Sequence, residues 1–208
     1  MTSGLDETWD RRFTEQPWPS TPDIHLVEFA DTLPPGRGLD LGAGPGRNSL
    51  WLAAKGWAMT LVDVSRIGLD QAARAAQNQG TPITPVQADV TAWHAQDADF
   101  DLAIVANLHL GAQTLTVVLD QAARALRQGG HLYVVGRHIS SVGRHGRTSP
   151  ERLFTEERLL RALPPDLKVD VLGTRDRMAA DRTSVHQPSA DRVVLAWTTK
   201  LSSSIGST

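Results

Sequence analysis

The stretch Gly38-Leu39-Asp40-Leu41-Gly42-Ala43-Gly44-Pro45-Gly46-Arg47-Asn48-Ser49-Leu50-Trp51-Leu52-Ala53 decides how the rest of the chain is read. An apolar run closes on an acid, a glycine-rich turn follows, and Leu50, Ala53 and Ala54 then recur at helical spacing. That is the pattern of a buried strand, a tight turn and a helix whose first N–H groups lack intrahelical partners. Glycine lets the backbone turn sharply and approach a ligand closely. The dinucleotide fingerprint G-x-G-x-x-G, counted from Gly42, needs its third glycine where Arg47 stands.

Asp40 to Gly46 instead reads D-x-G-x-G-x-G, which resembles motif I of class I S-adenosylmethionine-dependent methyltransferases. In that family the turn receives a cationic methionine tail. A carboxylate beside it suits an ammonium and a sulfonium, whereas it would repel a diphosphate. The resemblance implies S-adenosyl-L-methionine as cofactor. It also implies a Rossmann-like α/β fold: a seven-stranded, mostly parallel sheet with helices on both faces and an antiparallel hairpin at one edge. More narrowly, Leu39 to Gly56 is similar to the same segment of tellurite-resistance methyltransferases. That likeness weakens after residue 65, where acceptor specificity should reside, so it implies no tellurite or selenite substrate.

Working outward, Trp57 to Asp63 reads as a second strand closing on an acid. In nucleoside-binding folds such an acid accepts hydrogen bonds from both ribose hydroxyls, in NAD sites as well as methyltransferase sites. The alternative for Asp63 is an N-cap of the helix expected at Arg66–Gln79. A third apolar run, Ile83 to Ala88, ends at Asp89-Val90. By the same resemblance Asp89 accepts the adenine amine while a neighbouring backbone N–H reads a ring nitrogen; otherwise Asp89 caps a short segment at Thr91–Gln96. The resemblance thus assigns Asp40, Gly42, Ala43, Gly44, Gly46, Asp63, Val64, Ala88, Asp89, Val90 and Asn107 to the cofactor, with Trp18 as a further contact.

Phe100 to Ala106 is nearly continuous in apolar residues, as expected of a strand buried on both faces. Ligands of open α/β sheets bind beyond the carboxyl ends of the strands, which puts Asn107 and His109 where cofactor and acceptor meet. His109 is the candidate proton acceptor, because imidazole titrates near neutral pH; a histidine between leucines is also a common structural residue. Leu115, Val118, Leu119, Ala122 and Leu126 form the stripe of a helix expected over Ala112–Gln128. Gly129-Gly130 ends it and His131 begins a fifth strand. Next comes Gly136 to Arg147, with Arg137, Arg144, Arg147, His138 and His145, and no acid occurs between Asp120 and Glu151. The functional reading is a basic lid over the strand ends that attracts an anionic or electron-rich acceptor, with Arg137 and His138 beside the chemistry; the alternative is a solvated loop. A helix is expected at Thr155–Leu163 and strands at Leu167–Leu172 and Val193–Thr198, with a polar loop or long hairpin between them.

The 208 residues fit one domain over residues 1–200, with residues 1–35 as an N-terminal elaboration and 201–208 as a disordered tail. In residues 1–35 a helix is expected at Asp23–Thr32, with Ile24, Val27 and Ala30 on one face. Trp9, Phe13 and Trp18 before it either plug the sheet edge or lid the cofactor. A net charge of -2 predicts no general affinity for nucleic acid or membrane. The absence of cysteine excludes disulfides and thiol chemistry. No secretory signal, membrane span or metal-ligand spacing is seen, and a cytoplasmic protein is expected. The expected activity is methyl transfer to a small-molecule acceptor. An NAD(P)-dependent oxidoreductase and a non-catalytic S-adenosylmethionine-binding module are the alternatives, and the acceptor and oligomeric state are left open.

Overall fold

The computed structural model describes residues 4–16, 18–96, 98–142, 149–177 and 191–202. Its centre is a seven-stranded sheet in the order β3-β2-β1-β4-β5-β7-β6. The strands are β1 (Arg37–Leu41), β2 (Ala58–Asp63), β3 (Ile83–Gln87), β4 (Phe100–Ala106), β5 (Leu126–Arg137), β6 (Leu167–Arg177) and β7 (Asp191–Lys200). Strands β1 to β5 run parallel, and β7 is antiparallel to both β5 and β6. The mostly parallel sheet with an antiparallel edge pair is therefore the one the motif implied.

Alternation along the strands makes two cores. Leu102, Ile104, Tyr133 and Trp197 meet α2 (Ile24–Ala30), α3 (Arg47–Ala54) and α4 (Arg66–Gln79) on one face. Ala103, Val105, Leu132 and Val134 meet α5 (Ala112–Ala125) and α6 (Glu156–Ala162) on the other. Both faces of a parallel sheet must be covered, which is why β4 reads as an unbroken apolar run. The Cα pairs Leu41 with Val62 and Ala106 with Val135 bring the carboxyl ends of β1, β2, β4 and β5 to one edge.

Several local expectations are corrected. An additional helix, α1 (Leu5–Glu15), precedes α2 and carries Trp9 and the buried Phe13. Helix α2 is capped by Asp23 and buries His25, Leu26 and Ala30, while Ile24 is 52% exposed. The buried face of α3 holds Asn48, Ser49, Leu52 and Ala53, so the expected Leu50–Ala53–Ala54 stripe is rotated toward two polar residues with buried partners. Ser65, not Asp63, caps α4, its side chain accepting from the Gly68 N–H. No helix forms at Thr91–Gln96 among the described residues, where Asp89 closes a turn instead. Helix α5 stops at Ala125, and β5 begins at Leu126 rather than His131, because Phe100 pairs with Leu126 and Arg127 Nε bonds Asp101 Oδ1 at 2.5 Å. Strands β6 and β7 are longer than expected. Arg144, His145 and Arg147, most of the segment between β6 and β7, and most of the tail lie outside the described residues.

Candidate active site

Asp40, next to last in β1, has its side chain on the α3 face, where Ser49 of the first helical turn donates to its Oδ2 at 2.7 Å. Burial pushes its carboxyl up to about 7, opposed by the Ser49 bond; the nearby Asp63 charge adds to the rise and Arg47 counters it. At 2% exposure Asp40 lies buried beneath the turn.

Gly42, Gly44 and Gly46 all have positive φ, of 78°, 53° and 79°, which side chains adopt only with strain. A Cβ on Gly42 would come within 2.9 Å of Leu108, and one on Gly44 within 2.9 Å of Phe13. Close packing by the protein's own side chains therefore requires glycine at these positions, independently of any ligand. Val62 O accepts from Gly42 N at 2.8 Å and Ala43 N at 3.3 Å, pinning the turn to the end of β2.

Asp63 is held by its neighbours' backbone: Gly44 N donates to Oδ2 and Ser65 N to Oδ1, both at 2.8 Å. Burial raises its pKa against those two bonds, and the charge of Asp10 on α1 raises it further. Asp10 Oδ1 in turn accepts from Ser65 Oγ at 2.5 Å and from Ile67 N at 3.1 Å, which docks α1 on the start of α4. The Asp63 carboxylate is thus oriented before any ligand arrives, beside the glycine turn. Val64 follows it and accepts from Gln87 Nε2 at 3.2 Å, and Ala88 N donates to Asp63 O at 2.9 Å. Asp89 Oδ1 accepts from Thr91 N and Thr91 Oγ1, fixing the loop after β3, with Val90 buried behind it.

On the β4 and β5 side, Asn107 is the one non-glycine residue with positive φ among the described residues, at 58°, and its N–H donates to Val135 O at 2.7 Å. A left-handed asparagine at a strand end is an uncommon conformation of the kind that clusters at ligand sites. His109 is half-buried; its Nε2 accepts from Arg137 N at 3.1 Å and its ring meets Phe154 edge-on. Nε2 is therefore an acceptor, and a neutral ring carries its proton on Nδ1. The structure brings His109 and Arg137 together through the backbone of β5. His138 is turned away onto Ser140, whose N–H donates to His138 Nδ1 at 3.1 Å.

The cluster around Asp23 went unnoticed in the sequence. Asp23, with a fully buried carboxylate, accepts from Tyr133 Oη at 2.9 Å and His25 N at 3.1 Å, and its Oδ2 lies 3.9 Å from Arg47 Nη2. Its backbone N–H donates to Asn48 Oδ1 at 2.9 Å. The helix-cap preference of aspartate signals Asp23 locally, but nothing in sequence announces Tyr133 as its partner. Trp18 packs edge-on against Phe13 and Trp9 at 5.0 and 6.3 Å, and lines an outer groove of about 920 Å³ with Pro45, Leu50, Trp51 and Gln71. That groove contains no residue from the ends of β2, β3 or β4, and it reaches the glycine turn through Pro45 and through Phe13, which packs on Gly44.

The donor set fits a ligand that is cationic at its tail. Carboxylates near the ends of β1 and β2 and in the loop after β3 flank a turn whose Gly42, Ala43, Gly44 and Gly46 N–H groups are already bonded to Val62 O, Asp63 and Ala43 O, so a diphosphate would find the turn's donors taken and acids around it. Comparison with known proteins agrees. Residues 39–130 match the family model of a methyltransferase domain. No curated protein matches the sequence. Among solved structures, the chain superposes on the protein studied for conversion of a disulfide bond into a thioacetal group during echinomycin biosynthesis. The TM-score there is 0.79 at 19% identity, over 97% of this chain and 95% of that one. It also superposes on the N-methyltransferase NodS from Bradyrhizobium japonicum WM9, in complex with S-adenosyl-l-homocysteine. That match has a TM-score of 0.68 at 19% identity, covering 94% and 97%. TehB from Haemophilus influenzae gives 0.69 at 17% identity, covering 94% of this chain and 66% of TehB.

Proposed function

We propose that the chain, whose residues 39–130 match the family model of a methyltransferase domain, takes S-adenosylmethionine as cofactor and methylates a small-molecule nucleophile by in-line displacement. The observation that carries this reading is the Asp63 carboxylate, fixed by Gly44 and Ser65 N–H groups beside the glycine turn. When bound, S-adenosylmethionine supplies an electrophilic methyl group on a sulfonium. Asp63 accepts the ribose hydroxyls, Asp89 and the backbone at Ala88–Val90 hold the adenine, and the turn from Gly42 to Gly46 takes the methionine tail. Asp40, buried below, adds a charge complementary to that tail. Asn107 sits at the meeting point of cofactor and acceptor.

Arg137 and His109 define the acceptor side, with His138 at its margin. Displacement from a sulfonium disperses charge, so alignment and exclusion of water supply most of the acceleration. His109 takes a proton from a neutral acceptor through Nε2 only by releasing the Arg137 N–H; with an anionic acceptor it has no proton to take. The neighbours include an N-methyltransferase and a protein of thioacetal formation, so the fold does not choose the acceptor atom, and an O, N, S or chalcogen nucleophile is kept in the proposal. Calorimetric titration with S-adenosylmethionine, S-adenosylhomocysteine and NAD(H), repeated with Asp63→Ala, tests the cofactor. Transfer of a labelled methyl group into a metabolite extract tests the activity. Binding without transfer to any metabolite would leave a sensor module in place of an enzyme, and binding of NAD(H) alone would overturn the reading.

A further inference from the structure

We infer that Asp10, carried by α1, is a specificity-determining residue: it closes the ribose end of the cofactor site, so that the protein takes adenosine ligands whose two ribose hydroxyls are free and rejects those with a phosphate on either one. The inference rests on the cofactor reading above, in which Asp63 accepts those hydroxyls.

The start of α4 is where such a phosphate would be received. The first N–H groups of this 14-residue helix lack intrahelical partners and attract an anion. They follow directly on Asp63, and one residue joins two carboxylates there: Ser65 N donates to Asp63 Oδ1 at 2.8 Å, and Ser65 Oγ to Asp10 Oδ1 at 2.5 Å. Asp10 Oδ1 also accepts from Ile67 N at 3.1 Å, so the protein's own carboxylate already occupies the helix terminus. The two acids are close enough for the charge of Asp10 to raise the pKa of Asp63.

The same helix closes the other side of Asp63. Its Oδ2 accepts from Gly44 N, and next to Gly44 the ring of Phe13 lies against the turn and α4. A Cβ on Gly44 would meet that ring at 2.9 Å and one on Gly68 at 3.0 Å. Phe13 O accepts from Gln71 Nε2 at 3.0 Å, which fixes α1 to α4 a turn further on. A bare hydroxyl needs neither extra space nor a cation. A phosphate on it would meet an aromatic ring on one side and a second acid on the other. Asp63 alone disfavours a phosphate, and Asp10 takes up the helix terminus that would offset part of that cost.

Displacement of labelled S-adenosylhomocysteine from the intact protein by adenosine and by its 2′-, 3′- and 5′-monophosphates tests this; the 5′-phosphate stands away from the two hydroxyls. The wild type is expected to bind the 2′- and 3′-monophosphates about a hundredfold more weakly than adenosine. Asp10→Asn keeps an acceptor for Ser65 and Ile67 but removes the charge. It should narrow that gap about tenfold while affinity for adenosine and the 5′-monophosphate stays within about threefold. Asp10→Ser, which also clears the helix terminus, should narrow the gap further, and Asp10→Glu should preserve it. An unchanged gap in both Asp10→Asn and Asp10→Ser would overturn the inference alone, as would a wild type that binds the 2′-monophosphate as well as adenosine. Equal gains for all three monophosphates would overturn it as a general charge effect. Equal weakening of all four ligands would overturn it too, making Asp10 only a staple of α1 on α4. A wild type that binds neither S-adenosylhomocysteine nor adenosine would overturn the cofactor reading and this inference with it.

Discussion

Around the ends of β1 and β2 the polar side chains are buried and tied to residues of the same turn or the next strand, Asp40 to Ser49 and Asp63 to Gly44 and Ser65. Around the ends of β4 and β5, Asn107, His109 and Arg137 are half-buried, and their ties run between distant parts of the chain, as from Arg137 N to His109. The first region has its dipoles and charges oriented before a ligand arrives. Such preorganisation suits a cofactor that is the same in every turnover. The second joins the loop after β4 to the end of β5, two segments whose relative placement depends on packing across the sheet.

The largest effect should come from the fixed region. If Asp63 accepts two ribose hydroxyls as proposed, Asp63→Ala should weaken S-adenosylhomocysteine about a hundredfold or more in calorimetry. A change under about threefold would mean that the two regions do not differ as described. Gly44→Ala comes next. Its Cβ would need to fit 2.9 Å from Phe13 at a φ of 53°, so we expect a loss of about 3 kcal/mol in chemical denaturation together with weakened cofactor binding. Gly80→Ala is the matched control: its φ is 66° but nothing lies within 4 Å, so about 1 kcal/mol should be lost with binding intact.

Protonation sharpens the contrast further. Asp40 is raised from 3.8 to about 7 in the folded protein, which therefore binds the proton more tightly than the unfolded chain. Its contribution to stability is present in full below about pH 4 and is lost as pH rises through 7. A cationic tail favours the ionised form, so cofactor affinity should move the other way, rising about tenfold between roughly pH 6 and 8 with release of a proton. Titrations in buffers of different ionisation enthalpy would detect that proton, and Asp40→Asn should flatten both trends.

The smallest effect is expected on the acceptor side. His109→Gln retains an acceptor for the Arg137 N–H, and if His109 only holds that loop, kcat should fall by less than about threefold with its pH profile unchanged. A loss of a hundredfold or more, with the basic limb of the profile gone, would make His109 the base.

Much of the cofactor end was legible because its logic is local. Asp40 to Gly46 sets strand, turn and helix in succession, and the acids closing the second strand and following the third apolar run mark neighbouring strand ends in a parallel sheet. There, sequence assigned the glycines to a sharp turn and to ligand approach; their positive φ values bear out the turn, and Phe13 and Leu108, packed beside Gly44 and Gly42, add a reason that sequence did not announce. Helix α1 was missed because its value comes from docking, Asp10 onto α4 and Phe13 onto the turn, and little from a stripe within the helix. The end of α5 was overrun for a related reason: helical periodicity continues through Leu126, but pairing with Phe100 extends the strand back to it.

By itself the sequence determined the strand–turn–helix motif, the alternation that covers both faces of the sheet, and the acids at the strand ends. Each depends on residues within one or two turns of chain. Only the tertiary structure decided that Asp23 meets Tyr133 and Arg47, that His109 accepts from Arg137, and that Trp18 turns to an outer groove. Those contacts join segments far apart in the chain, and their geometry is set by how whole elements pack rather than by any local preference.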